Sequence, residues 1–247
     1  MLKPEDFSYA IELHDVEGID KCLSSGIHPN DIYKNESWFG HLVSMYTRSP
    51  RFSECVKVFV KHGLHWETPA LLAVLANDAH WLQRQLHQHA RLCFSRYSLP
   101  NAYTHMQGVS LMHVCAEFNH TACAEVLLEH GAVIDQFAEL DDQGFGGQTP
   151  LFHTVNQNQH QSADMLQWLL QHGADPLHFV KGLFWGKNQS WETLIPSVNS
   201  ISYCMMGRLP QFHRDEITTA KTLQMLFKHA YHQHIDIPNI PNKYLEN

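Results

Sequence analysis

The chain of 247 residues is 44% hydrophobic and 17% charged, a composition typical of folded proteins that argues against disorder. Its net charge of −8 at pH 7 argues against nucleic-acid binding, because that binding depends mainly on attraction between basic side chains and phosphates. We therefore expect a protein partner and no nucleic acid, and local nucleic-acid binding through Arg91 and Arg96 is a weaker alternative.

One sequence unit occurs twice with little change. The stretches GVSLMHVCA, which begins at Gly108, and GQTPLFHTV, which begins at Gly147, are each followed by an amphipathic helix with a Leu-Leu-x-His-Gly end. These ends place Gly131 and Gly173 where a helix stop needs a residue that enters the left-handed conformation at low cost. Because one helix pair cannot bury its apolar face alone, the copies must stack into a solenoid whose core lies between neighbours.

The same helix end recurs along the chain and predicts about six helix-turn-helix units in one continuous domain, residues 1–247. The units approximately span residues 4–29, 36–66, 67–92, 108–134, 147–176 and 197–233. Their first helices begin near capping residues, with a proline in the first turn of two of them: Glu5, Ser37, Thr68, Ser110, Thr149 and Asn199. Insertions at Arg48–Phe52 and Gly207–Arg214 lengthen two inter-helix turns. The sequence thus predicts an all-α solenoid with long loops.

Three connections between units are long enough to project as fingers. Finger 1 covers residues 91–107, finger 2 covers residues 133–146, and finger 3 covers residues 176–196. Loops of this length are usually functional or disordered, and their aromatic residues argue against disorder. We therefore expect ordered fingers with a role in function.

The two clearest units resemble ankyrin repeats. Ser110-Leu-Met-His-Val-Cys and Thr149-Pro-Leu-Phe-His-Thr are similar to the family signature T-P-L-H-x-A, and the helix ends at Gly131 and Gly173 are similar to its L-L-x-x-G-A-D end. The remaining units are degenerate. The segment Gly182–Thr193 also resembles stand-alone bacterial ankyrin proteins, so we expect a bacterial source. The resemblance implies that first helices line a concave face and that partners dock on this face and on the fingers.

Candidate partner-binding residues come from these two surfaces. Aromatic side chains supply much of the binding energy at protein interfaces, and acidic side chains attract a basic partner, although a charged loop can simply be solvated. On the first helices we expect these residues to turn away from the core: Glu117, Phe118, His153, Asn156 and Gln157. The finger candidates are Tyr97, Tyr103, Asp135, Asp141, Asp142, Phe145, Phe184, Trp185 and Lys187. We expect Trp191 to pack against the sixth unit.

The 20 histidines have two interpretations. A metal could be held by His87 and His89, or by a second group that consists of His229, His232, His234 and Cys204. A structural role is better supported, because histidines precede several predicted helix stops, where a ring can bond the last carbonyls: His62, His130, His172 and His229. We predict no metal and no cofactor, and a metal or small-ligand site stays as the alternative function.

No catalytic motif is recognisable. Gly144–Gly147 lacks the strand and the lysine of a phosphate-binding loop, and we found no nucleophile or metalloprotease pattern. We therefore predict a monomeric, non-catalytic scaffold for protein binding. Its partner could lie in its own cytosol or, for an effector, in a host cell.

The cysteines and the N-terminus predict the compartment. Six cysteines without paired spacing indicate buried thiols in a reducing environment. The first residues are acidic where a secretory signal is basic and then apolar, and no apolar run is long enough to span a bilayer. We expect a cytoplasmic protein without membrane insertion, or one delivered to a host cell by a signal-independent secretion system.

Overall fold

The structure of the protein is a computed structural model that describes residues 3–234 except 102, 187–189, 208 and 210–213. Over these residues, helices alternate with three two-stranded antiparallel hairpins. The expected all-α class is therefore corrected, because strands form in connections where the sequence predicts only loops.

At least two helical elements lie within each of the six predicted ranges. In chain order the α-helices are α1 (Pro4–Glu12), α2 (Val16–Ser24), α3 (Trp38–Ser44), α4 (Phe52–Lys61), α5 (Pro69–Leu75), α6 (Ala79–Gln88), α7 (Leu111–Phe118), α8 (Thr121–Glu129), α9 (Ala163–Gln171), α10 (Ser200–Met206) and α11 (Glu216–Tyr231). Capping side chains fix several starts as predicted. The Ser37 hydroxyl accepts a hydrogen bond from the Gly40 amide at 2.9 Å, and Asn199 Oδ1 accepts one from the Ser202 amide at 2.9 Å.

The first element before α9 departs from the prediction. It is a 3-10 helix, Pro150–Thr154, instead of an α-helix, and Gln159 and His160 follow with positive φ. The Gln157 side chain donates to the His153 carbonyl at 2.9 Å. In an α-helix the backbone amide of Gln157 would bond that carbonyl, so the side chain competes with helix formation.

Neighbouring helix pairs pack through like elements. The first helix α5 contacts α7, the second helix α6 contacts α8, and the same arrangement joins α2 to α4 and α9 to α11. The buried apolar residues from Phe7 to Leu226 form one continuous cluster. The core therefore lies between pairs, as a stacked repeat requires.

The helix ends follow the predicted pattern in part. Gly26, Gly63, Gly131 and Gly173 adopt φ between +85° and +106° at the ends of α2, α4, α8 and α9. His172 Nδ1 lies 2.8 Å from the Trp168 carbonyl, as expected for a ring that bonds the last turn. His62 instead lies 2.8 Å from the Asp20 carboxylate. His229 is inside α11, which continues to Tyr231, so its predicted place at the helix stop is wrong.

The fingers contain most of the strands. β1 (Ile32–Tyr33) pairs with β2 (Glu36–Ser37), β3 (Tyr97–Leu99) with β4 (Met106–Val109), and β5 (Val180–Trp185) with β6 (Thr193–Val198). The β3–β4 hairpin overlaps finger 1 and the β5–β6 hairpin overlaps finger 3, whereas finger 2 has one isolated bridge, Leu140 to Gly146.

Backbone hydrogen bonds join the fingers to one another. The Glu139 amide of finger 2 donates at 3.0 Å to the carbonyl of Gly108, a residue of β4 just after finger 1. The Gly146 amide of finger 2 donates to the Gly182 carbonyl of finger 3 at 3.0 Å. The Gly186 amide donates to the Tyr103 carbonyl at 3.2 Å, which links finger 3 to finger 1. The three fingers therefore form one connected structure, which we call the finger row.

Candidate protein-interaction surface

The first-helix candidates are buried, so the expectation that they turn away from the core is wrong. Glu117 is 1% exposed, His153 1%, Asn156 3%, Gln157 6% and Phe118 8%. They belong to α7 and to the segment that begins with the 3-10 helix. These side chains cannot contribute accessible surface to a partner without rearrangement.

The insertion between α3 and α4 explains much of this burial. Arg48 reaches from it to Glu117, with Nε 2.9 Å and Nη2 2.9 Å from Oε1, and its guanidinium carbon lies 4.8 Å from the Phe118 ring centroid. Phe52, the first residue of α4, stacks on Phe118 with ring centroids 4.1 Å apart. Side chains of this chain therefore occupy the surface that the sequence suggested for a partner.

Glu117 keeps its charge in this buried position because of its partners. Its second carboxylate oxygen lies 3.0 Å from His153 Nδ1, and both side chains are fully buried. Burial alone would raise the pKa of Glu117, but the Arg48 guanidinium and His153 outweigh it and hold the pKa below its usual value. The group is a buried ion pair with a histidine partner, and it connects the α3–α4 insertion to α7 and to the 3-10 helix.

The two tyrosine candidates of finger 1 are also buried, which corrects their predicted role in contact. Tyr97 is 8% exposed and belongs to the core, and Tyr103 is 7% exposed. The Tyr103 hydroxyl donates to the Tyr46 carbonyl at 2.6 Å, and the Arg214 guanidinium carbon lies 4.9 Å from its ring centroid. Finger 1 thus folds back onto the helices and brings Tyr103 between Arg48 and Arg214.

A cleft of about 370 Å³ remains beside this buried group. It is lined in part by Phe52, Phe118, Asn119 and His120. His120 Nδ1 lies 2.7 Å from the Val74 carbonyl, and Asn119 Oδ1 accepts from the Met165 amide at 2.8 Å. Each of these two polar side chains thus has a hydrogen-bond partner within the protein.

The acidic candidates of finger 2 differ from one another. Asp141 Oδ1 accepts hydrogen bonds from the Gln143 and Phe145 amides at 3.0 and 2.9 Å, so this carboxylate closes the loop. Asp135 Oδ2 accepts from the Asp175 amide at 3.0 Å, and burial raises the pKa of Asp135. Asp142 is exposed and is therefore accessible for contact.

The aromatic candidates of fingers 2 and 3 are half-buried. The Phe145 and Phe184 rings meet edge to face at 5.6 Å, and Trp185 packs partly against the core. Lys187 lies outside the described residues. Trp191 is 49% exposed, so its expected packing as local core is wrong, although its indole lies close to Gly186.

The structure also identifies exposed apolar residues that sequence reasoning did not select. Phe137 is 50% exposed, Leu140 63% and Phe179 59%, and all three line one open groove. Leu140 lies between Glu139 and Asp141, in a finger from which we selected acidic and aromatic residues only. The sequence did contain a signal for this exposed apolar surface, because Leu140 is a large apolar residue within an acidic loop.

In the described part of the chain, no three His, Cys, Asp or Glu side chains are close enough together to hold a metal ion. The helices found there are also too short or too polar to cross a membrane.

Comparisons with known proteins agree with the repeated helix pairs. A family model of ankyrin repeats in three copies matches residues 70–179. Among solved structures, the ankyrin repeat domain of human ASB11 is similar at 14% identity and a TM-score of 0.33, over 72% of this chain and 87% of that chain. No curated protein matches the sequence significantly. Residues 70–179 therefore form repeats of the ankyrin family.

Proposed function

We propose that this protein is a non-catalytic scaffold that binds a partner protein through its finger row. Ankyrin repeats are generally protein–protein interaction modules and are typically not enzymes. The observation that carries the proposal is the group of exposed apolar side chains around one groove: Phe137, Leu140 and Phe179. Large apolar surfaces kept in water usually mark contact sites. The buried ion pair of Arg48 and Glu117 occupies part of the first-helix surface, so we assign the main contact to the fingers.

The helix pairs outside residues 70–179 are, in this proposal, degenerate copies of the same repeat. This interpretation gives six units, and the outer pairs would cover the ends of the shared core, as terminal repeats do in other solenoids. We propose that the protein is a monomer.

Two biological settings fit a protein-binding scaffold of this kind. In the first, a bacterial cytoplasmic protein neutralises a toxin or binds an enzyme encoded nearby. In the second, an effector is delivered into a host cell and binds a host protein. A toxin gene next to this gene would favour the first setting, and secretion-dependent translocation of a tagged copy would favour the second.

Site-specific photo-crosslinking tests whether the finger row meets a partner. The full chain carries a benzoylphenylalanine at Asp142, an exposed residue of finger 2, or at Glu54, an exposed residue of α4. In the native cytoplasm or, for the effector setting, in host cells, we expect the Asp142 variant to crosslink one protein that the Glu54 variant does not. No crosslinked protein, or equal crosslinking from both positions, would contradict the proposal.

A further inference from the structure

A narrow cleft lies where the three fingers meet. His105 of finger 1, Glu139 of finger 2 and Phe184 of finger 3 line it, together with Gln148, which follows finger 2. We call it the junction cleft. It holds about 20 Å³, enough room for one water-sized group, and the exposed Glu139 lies at its rim. The junction cleft can therefore take only a small group that enters from outside.

One buried polar atom in this lining lacks a hydrogen-bond partner. Gln148 is 1% exposed, and its Nε2 donates to the His105 carbonyl at 2.7 Å. That bond sets the orientation of the amide and leaves Oε1 as an acceptor, which no described residue satisfies. A buried polar atom without a partner costs free energy. The Gln148 oxygen therefore indicates a donor that the described part of the chain does not supply.

The other groups in the lining favour a cationic donor. The carboxylate of Glu139 lies at the rim, and the Phe184 ring, whose face attracts cations, forms part of the wall. An ammonium group has three N–H donors and no acceptor, so it matches an amide oxygen, a carboxylate and a ring. A water molecule would also need a donor for its own oxygen. The lining thus fits an ammonium better than it fits water.

The cations of the chain near finger 2 leave the junction cleft to an external group. The Lys181 ammonium donates to the Gln143 carbonyl at 2.7 Å and lies 4.8 Å from the Phe145 ring centroid. Arg96 donates to another carbonyl of finger 2, and neither cation lines the cleft. Lys181 also shows that finger 2 can hold an ammonium between a carbonyl oxygen and a ring.

The carboxylates of finger 2 surround the position that such a cation would take. Glu139 and Asp141 line the junction cleft itself. Asp142 lines a second, open cleft of about 260 Å³, which shares Asp141 and Phe184 with the first. Three carboxylates against the two cations of the chain leave negative charge here, so the site attracts a positively charged ligand.

We propose that the junction cleft binds the ammonium of a lysine side chain that a partner protein inserts between the fingers. Gln148 Oε1 and the Glu139 carboxylate accept its N–H groups, and its apolar stem packs beside the Phe184 ring. The small volume admits an ammonium and excludes the broader guanidinium of arginine or a trimethylated ammonium. This inference rests on the proposed function and specifies the residue that the partner presents.

Titration with n-butylammonium chloride tests the cleft, because this amine is a lysine side chain without its backbone. The full chain is isotopically labelled, and NMR signals of the Gln148 side-chain amide and of the Gly146 backbone amide report binding. Sodium chloride controls for ionic strength and inorganic cations, and tetramethylammonium chloride controls for a cation without N–H donors. Glu139→Gln removes the rim carboxylate. Glu54→Gln, at an exposed position of α4, is the matched control.

We expect saturable shifts of the Gln148 and Gly146 signals with n-butylammonium and with neither control salt. The Kd of the amine should rise at least about threefold in Glu139→Gln, because one carboxylate beside the ammonium is lost. In Glu54→Gln the Kd should equal that of the wild type.

A peptide library tests whether the amine belongs to a protein segment. Random phage-displayed peptides of about seven residues are selected on the immobilised full chain, since short segments suffice for recognition by side-chain pockets. We expect the selected peptides to contain a lysine, and a synthetic copy should displace n-butylammonium from Gln148. Replacement of this lysine by arginine or trimethyllysine should raise the Kd at least about tenfold, because neither head group matches the small cleft.

Three results would overturn the inference. They are no saturable response to n-butylammonium, an equal response to either control salt, and selected peptides that bind without lysine. The first would mean that water alone satisfies Gln148. Any of the three, together with a partner crosslinked from Asp142, would reject the lysine site and keep the scaffold function. Amine binding without a selected peptide or a crosslinked partner would reject both the scaffold function and a protein lysine as the ligand.

Discussion

Glu117 lies where a lone carboxylate would be strongly disfavoured. The side chain is fully buried, yet Arg48 and His153 hold its two oxygens, and the Gln157 amide group bonds its backbone carbonyl. Forming such a pair contributes little net stability, because both charges lose water, whereas breaking it leaves an uncompensated buried charge. The pair thus makes the packing of the α3–α4 insertion on α7 sensitive to substitution.

Replacement of Glu117 should therefore destabilise the fold strongly. We expect Glu117→Gln to lower the free energy of unfolding by about 3–5 kcal/mol, because Arg48 would stay buried without its counter-charge. Urea denaturation measures the change. The control is Glu54→Gln, which removes an exposed pair with Lys57 at 2.7 Å and should cost less than about 1 kcal/mol. Equal losses for the two variants would contradict the role of burial.

Buried His120 should make the protein less stable in mild acid. Burial lowers the pKa of His120 from 6.5 to about 4, so the folded protein stays neutral there while the unfolded chain takes up a proton. The free energy of unfolding therefore has its full value, as far as His120 determines it, above pH 6.5. It falls by about 1.4 kcal/mol for each pH unit as the pH decreases towards 4.

The test compares variants across this pH range. The urea midpoint of His120→Gln should fall less steeply than that of the wild type between about pH 6.5 and about pH 5. Val60→Ala, at a partly exposed position of α4 without a titratable group, serves as the control and should keep the wild-type slope. A wild-type midpoint that does not change over this range would refute the expectation.

At the scale of elements, helix ends and fingers use glycine for different reasons. Gly173 ends α9 with φ of +86°, and nothing lies within 4 Å of the position where a Cβ would be. Gly146 closes finger 2 with φ of +105°, and a Cβ there would lie 2.5 Å from the Glu139 carbonyl oxygen. Gly173 is required only for its left-handed backbone conformation. Gly146 is required for that conformation and also because a Cβ atom has no room there.

Alanine at these two glycines should therefore have unequal effects. We expect Gly173→Ala to cost about 1 kcal/mol of stability, the conformational penalty alone. Gly146→Ala should cost more, because the backbone of finger 2 must move away from the new methyl group. Urea denaturation ranks the two variants, and hydrogen exchange at the Gly186 amide reports whether the finger row loosens. A larger loss at Gly173 would show that the close contact at Gly146 is relieved without cost.

The helices could be predicted from the sequence because the residues that start and end a helix lie within or next to it. Capping residues such as Ser37 and Asn199, and glycines such as Gly131, act within a few positions of the helix that they define. The hairpins and the burial of the first-helix surface depend on partners far along the chain. Arg48 lies 69 positions from Glu117, and the Gly186 amide bonds the carbonyl of Tyr103. Repeat spacing predicts which helices pair, but it does not predict where inserted segments fold.

At the scale of the whole molecule, the single core also encloses the thiols. All six cysteines are buried and none forms a disulfide, as the sequence predicts. Burial raises the pKa of Cys55 and of Cys123 to about 12, so neither supplies a reactive thiolate near neutral pH. The rate at which a reagent reaches these sulfur atoms therefore shows whether the packed helix pairs are intact.

Thiol titration should distinguish the folded stack from the unfolded chain. We expect Ellman's reagent to react with all six cysteines in guanidinium chloride and to react slowly with each of them in the native protein. The time course of native labelling then follows opening of the helix pairs. Immediate reaction of one or more thiols under native conditions would indicate that part of the core is open.

The bonds that connect the fingers have a mechanical consequence. In a simple solenoid each repeat contacts only its neighbours, so a pulling force on the two termini can peel repeats away one after another. Here the Gly186–Tyr103 bond and the Arg48–Glu117 pair each connect segments that are not consecutive repeats. Separation of the inner repeats that lie between these segments would have to break the cross-links as well. The middle of this protein should therefore resist stretching as a single block and rupture in one event.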